Sequence, residues 1–163
     1  MLKSALLALA DDELLKLCRI DLCRGTGPGG QKRNKTSTAV RITHLESGIA
    51  ATDDATRSQH LNRAHALAKL RVELAVNLPP EPDTAHPALP LEPVPRTTRP
   101  EYPAWLGEVF STLASHGFQP APAAAAYGCS PSHLIRVIAK DDNAWQHFAQ
   151  ARQRLALPPL RRN

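Results

Sequence analysis

The chain has 163 residues, 42% of them hydrophobic but only 4% aromatic, and a formal charge of +5. That length allows one ordinary domain or two small ones, with a core built mainly from Leu, Val, Ile and Ala. The three cysteines, Cys18, Cys23 and Cys129, have no paired spacing, which argues against a disulfide framework or a zinc site, and no apolar run approaches the roughly 20 residues of a membrane span.

The start, "MLKSALLALADDELL", predicts an amphipathic helix from Ser4 to about Lys16, broken and re-capped at Asp11. The apolar run is too brief for a signal peptide, and acidic residues follow at once. Residues 18–24 alternate, with Cys18, Ile20 and Leu22 on one side and Arg19, Asp21 and Cys23 on the other, which predicts a strand. "GTGPGGQKRNK" at 25–35 then sets four glycines beside three cations. "TAVRITHL" predicts a second strand, with Val40 and Ile42 on one face and Arg41 and Thr43 on the other. "ESG" at 46–48 reads as a hairpin turn, and "IAAT" as the return strand.

From Ser58, a plausible N-cap, to about Val76 the pattern becomes helical. Leu61, Ala64, Ala68, Val72 and Ala75 form an apolar stripe, widened by Leu67, Leu70 and Leu74. Arg57, Arg63, Lys69 and Arg71 border it. Residues 1–78 are therefore expected to be α+β, a small mixed or antiparallel sheet with a helix packed on it. Residues 19–71 hold ten Lys/Arg against four Asp/Glu, a net +6, so the rest of the chain sums to −1. Such local charge points to a polyanion site rather than to general solubility.

Residues 79–103 contain nine of the fifteen prolines and are expected to form an extended linker. Residues 104–163 read as a small α-helical module. "AWLGEVFSTLASHG" is one helix, ended by Gly117, and "PAAAAYG" a second. A third is capped by Ser130 with Pro131 at its first position, and a fourth starts at Asp141 or Asp142. The spacing of Ala124, Gly128, Leu134 and Val137 suits a helix-turn-helix, or any compact helical pair. His133, Arg136 and Lys140 give the third helix few cations for DNA, so packing, protein binding and RNA binding stay open beside DNA binding.

Three chemistries could use the glycine stretch. Gly25, Gly27 and Gly30 fit the dinucleotide fingerprint, but that motif must open a helix inside a βαβ unit, and here a basic run and a hairpin follow. Gly25 and Gly30 also fit a Walker spacing, but Gln31-Lys32 stands where Lys-Ser/Thr is required. A nucleic-acid site, in which glycines let the backbone approach a reacting group while Lys32, Arg33 and Lys35 neutralise phosphate, meets neither objection. Composition alone does not separate that site from a basic loop without chemistry.

"GPGGQ", followed by "NKTSTAVRITH", the turn "SG" and "RSQHLNRAHALAKL", resembles the catalytic domain of class I peptide chain release factors and their short ribosome-rescue relatives. The likeness runs over roughly residues 18–75. It implies hydrolysis of the ester joining a nascent peptide to tRNA, on the ribosome, with Gly29, Gly30 and Gln31 as the catalytic triplet. The Gln31 backbone N–H would donate to developing charge and its side chain would position water. The resemblance also makes Gln31 a candidate for N5-methylation, and a glutamine methyltransferase a candidate partner. Lys32, Arg33, Lys35, Arg41, Arg57, Gln59 and Arg63 would face ribosomal RNA or the acceptor end of peptidyl-tRNA. His44, His60 and His65 are expected to be surface or packing residues. No metal or cofactor is expected, and the protein is expected to be a cytoplasmic monomer without a membrane partner. Lys32-Arg33 departs from the pair that usually follows the triplet. The chain has no room for a separate decoding domain, so codon-specific termination is not expected. A non-catalytic RNA- or ribosome-binding factor is the alternative.

Overall fold

A computed structural model describes residues 2–23, 38–80 and 87–162. It separates into two units, Ala8–Asn77 and a second made of Leu78–Asn163 with Met1–Leu7.

In the first unit the predicted N-terminal helix is broken in two. α1 (Lys3–Ala8) groups with the second unit up to Leu7, while α2 (Asp11–Lys16) belongs here. The cap of α2 falls at Ala10 rather than Asp11: Glu13 Oε2 accepts from the Ala10 N–H at 3.3 Å. β1 (Cys18–Cys23), β2 (Ala39–His44) and β3 (Ala50–Asp53) form an antiparallel sheet in the order β1-β2-β3. Its ladders run from Cys18↔His44 to Cys23↔Ala39, and from Val40↔Asp53 to Thr43↔Ala50. The β2–β3 hairpin closes on Gly48, whose φ of +71° lies where a side chain would be strained. Its N–H donates to His44 O, and the His44 N–H to Ile49 O.

α3 (Gln59–Asn77) packs on β2 and β3, over Val40, Ile42 and Ala51. Ser58 caps it, accepting from the Leu61 N–H at 3.4 Å. The expected stripe is rotated. Ala66, Leu67, Leu70, Leu74 and Ala75 are buried with Asn62, whereas Ala64 and Ala68 are exposed and Leu61 is 48% exposed. Alanines occur all round this helix and carry little weight. The bulkier Leu67, Leu70 and Leu74, each able to contribute about 1.5–3 kcal/mol when buried, decide which face turns inward. Leu22 sits on the inner side of edge strand β1, opposite Val40, and is still 57% exposed.

The second unit contains α4 (Tyr102–Ser115), α5 (Pro120–Ala126), α6 (Pro131–Ala139) and α7 (Asp142–Arg154). Its core is built from Trp105, Leu106, Val109, Phe110, Leu113, Ala124, Leu134, Val137, Ile138 and Phe148. α4 ends at Ser115, and Gly117 (φ +59°) carries the chain out, with the Phe118 N–H returning to Leu113 O. Ser130 and Asp141 cap α6 and α7 through the N–H groups of His133 and Ala144. α1 is held to α4 through buried Lys3, whose Nζ donates to Ser111 Oγ at 3.1 Å.

The Pro-rich stretch does more than connect. Residues 87–101 of it lie on the helical unit: Leu91 is buried and its carbonyl accepts from Trp105 Nε1 at 3.1 Å, and the Ala88 N–H donates to Glu108 Oε1. Glu92 reaches both His133 of α6 and Lys140 at its C-cap, at 3.1 and 2.7 Å.

Candidate nucleic-acid interface

The hydrogen-bond ladder of β1 and β2 ends on the pair Cys23↔Ala39. Gly29, Gly30, Gln31, Lys32, Arg33 and Lys35 fall between these two strand ends and lie outside the described residues. What is described is their frame. β1 runs toward this end of the sheet, β2 away and β3 back toward it, so the 54–58 connection and the start of α3 also lie here.

The four other expected RNA contacts collect at this end. Arg41 is exposed on the outer face of β2, directly across from Asp21, which itself pairs with Arg19 at 3.0 Å. Arg57 precedes the cap, Gln59 opens α3, and Arg63 follows four residues on, above Gln59 on one helix face. All are exposed, and Arg41, Arg57 and Arg63 have no ion-pair partner among the described residues. An exposed, unpaired arginine keeps its donor fork for phosphate.

Other cations are engaged within the unit. Arg71 Nη2 bonds Leu9 O at 2.6 Å and Asp11 Oδ1 at 2.8 Å, which fixes α2 against α3. Lys69 Nζ lies 2.6 Å from Asp53 Oδ2, and His65 Nδ1 3.4 Å from Asp53 Oδ1. His44 is buried with Nδ1 against Ser47 Oγ at 2.9 Å, and His60 is exposed. Burial pushes the Asp53 carboxyl up, but hydrogen bonds from Lys69 and the Ala55 N–H, with the Lys69 charge and His65, outweigh it and hold it below the usual range. A depressed carboxylate stabilises the fold above its unfolded pKa, about 3.9, and loses that contribution as pH falls through the folded value. Wild type is therefore expected to be more stable than Asp53→Asn at pH 7. The gap should close below about pH 4, as measured by thermal unfolding across pH.

Sequence reasoning missed Asn62. It reads as a polar residue beside an apolar stripe, yet it is fully buried and reaches Thr38, the residue at the foot of β2. No periodicity marks such a residue; only its hydrogen bonds do.

The helical unit offers a poorer anionic-ligand face. Of His133 and Arg136 on α6 and Lys140 just after it, His133 and Lys140 are taken by Glu92, whose carboxyl is held below its usual range, chiefly by Lys140. Arg136 stays exposed. Near the end of the chain, Arg152 is buried, donating to Phe118 O and Pro158 O with its guanidinium over the Phe148 ring, and Arg162 bonds Ala139 O. The spacing Pro-x-Thr, which a codon-reading tripeptide would show, does occur in the Pro-rich stretch, at 82–84 and 95–97. The second overlaps a turn closed by the Arg99 N–H on Arg96 O.

The cysteines are free, and burial raises the Cys18 and Cys129 thiols, so neither is poised as a thiolate nucleophile. Among the described residues no group of His, Cys, Asp and Glu could hold a metal ion, and no helix is long and apolar enough to cross a membrane.

The three-stranded sheet with α3 packed on it makes the first unit an α+β domain, and its sequence is release-factor-like. Residues 12–86 match the RF-1 domain. Over 57 residues the chain is 56% identical to peptide chain release factor 2 of Paramagnetospirillum magneticum, covering 35% of this chain and 15% of that protein. It is 52% identical over 56 residues to peptide chain release factor 1 of Zymomonas mobilis (34% and 16%), and 48% over 64 residues to that of Gluconobacter oxydans (39% and 17%). The matched stretch thus spans 15–17% of the length of these three relatives.

Proposed function

We propose that this protein hydrolyses the ester between nascent peptide and tRNA on the ribosome, releasing the peptide without reading a codon, in termination or ribosome rescue. The observation that carries the reading is the convergence of Arg41, Arg57, Gln59 and Arg63 on the end of the sheet from which residues 24–37 depart. Cations there would hold ribosomal RNA or the tRNA acceptor end while Gly29, Gly30 and Gln31 meet the ester. Water is the nucleophile and the ester is activated, so a nucleophilic side chain with its own base is not needed. The partners in this reading are large-subunit RNA and peptidyl-tRNA, in the cytoplasm, with the protein acting as a monomer. Gln31 is the site at which a glutamine methyltransferase would act.

The test is peptide release from stalled ribosomal complexes. Wild type is expected to release, and Gln31→Ala to be slower by about 10²-fold, the scale of a misplaced reacting group. Ribosome binding without release by wild type would favour the non-catalytic binding factor. Binding should also fall steeply with salt, since phosphate contacts release counterions.

A further inference from the structure

We infer that Asn62 is a positioning residue for the proposed release reaction, fixing where the glycine-bearing stretch re-enters the sheet relative to the cationic face; the inference rests on that reading. Asn62 Nδ2 donates to Thr38 O at 2.7 Å and to Thr56 O at 2.8 Å. Oδ1 accepts from the Thr56 N–H at 2.9 Å and from Thr56 Oγ1 at 2.8 Å. Both donors and two acceptor directions of the amide are used, which fixes its orientation without ambiguity.

The two segments it joins are the ones the reaction would need in register. Thr38 is the first described residue after 24–37 and leads directly into Ala39, the partner of Cys23 on the other strand end. Thr56 is bonded onward, its Oγ1 accepting from the Ser58 N–H at 3.1 Å, so Arg57 is held between two anchored residues and Gln59 follows at the helix start. An apolar side chain here would fill the same space on the buried face of α3. What the amide adds is direction: it ties the strand foot to the RNA-facing turn through bonds with no freedom to slide, in a site where an unpaired carbonyl is costly. Placing a backbone N–H and a water at an ester tolerates little error, since a displacement of about 1 Å can cost about 10²-fold in rate.

The decisive variant is Asn62→Asp, which keeps the shape and the acceptor for the Thr56 N–H and Oγ1 but sets an oxygen against both Thr38 O and Thr56 O. Asn62→Ser, too short to reach Thr38, serves if the first does not fold, and Ile42→Val in the same sheet provides a destabilised control with the anchor intact. Release is measured at increasing protein concentration on stalled complexes, with thermal midpoints recorded for each variant. The expected result is a maximal rate lower by about 10²-fold for Asn62→Asp, little change in the half-saturating concentration, and a near-normal maximal rate for Ile42→Val. A wild-type maximal rate in both Asn62 variants, or a loss that merely tracks the thermal midpoint as in Ile42→Val, overturns the inference and leaves the proposed function standing. No release by wild type on any complex overturns the function and this role together.

Discussion

Trp105→Ala is expected to destabilise the helical unit by about 3–5 kcal/mol, measured as a shift in the urea unfolding curve. Trp105 is 3% exposed and packs tilted against Tyr102, ring centroids 5.9 Å apart. Truncation removes a large buried ring from the core around α4 and leaves a cavity that its neighbours fill only in part. It also strands Leu91 O, which Trp105 Nε1 satisfies at 3.1 Å. Trp105→Phe separates the two contributions: most of the volume stays while the hydrogen bond goes, for an expected loss of about 1–3 kcal/mol. Since whole domains are stable by only about 5–15 kcal/mol, the alanine variant should be partly unfolded at modest temperature. The 87–101 segment should become protease-sensitive in both variants before the helices do, since Leu91 is its buried anchor. Equal protection of that segment in wild type and Trp105→Ala would contradict the seating of Leu91.

How much of this was legible in the chain differs from element to element. β2 was plain because Val40 and Ile42 alternate with Arg41 and Thr43, and both apolar residues are fully buried. The starts of α3 and α6 were plain because Ser58 and Ser130 are capping residues and do cap, while at α7 the choice between Asp141 and Asp142 is decided by the Asp141 cap on the Ala144 N–H. The inward face of α3 was not. A stripe counted through Leu61, Ala64 and Ala68 treats small and large apolar residues alike, whereas packing against the sheet follows Leu67, Leu70 and Leu74. Asn62 was invisible for the opposite reason, since a polar residue enters a core only when its hydrogen bonds are met, and its partners at 38 and 56 are distant in sequence. Leu22 was assigned its correct side but not its exposure, which depends on how far a helix reaches across an edge strand. The Pro-rich stretch announced an extended chain, while the placing of Leu91 and Glu92 on α4 and α6 depends on tertiary contacts that composition does not encode. For the candidate site the sequence offers residue types and their order, while the gathering of Arg41, Arg57, Gln59 and Arg63 at one end follows only from the direction of three strands.

Gly30→Ala should slow peptide release more than Gln31→Ala does, by about 10²–10³-fold, the scale on which one lost backbone donor to a developing oxyanion is felt. The ordering follows from what each change removes. In the proposed reaction, Gln31→Ala would take away a side chain that orients water and keep the backbone N–H. Gly30→Ala would add a methyl next to that N–H, where the proposed reaction needs the backbone within hydrogen-bond distance of the tRNA end, and narrows the φ values open to the position. Neither change alters charge, so the four exposed contacts at the foot of the sheet, Arg41, Arg57, Gln59 and Arg63, should still bind the ribosome with near wild-type affinity and salt dependence. Single-turnover release at saturating protein, set beside co-sedimentation with ribosomes, distinguishes the cases. Slow release with intact binding is the expected pattern for a backbone that has lost its approach. A fully active Gly30→Ala would mean that the ester is not met by this stretch of backbone, and the cations at the end of the sheet would then belong to a factor that binds the ribosome without cutting the ester.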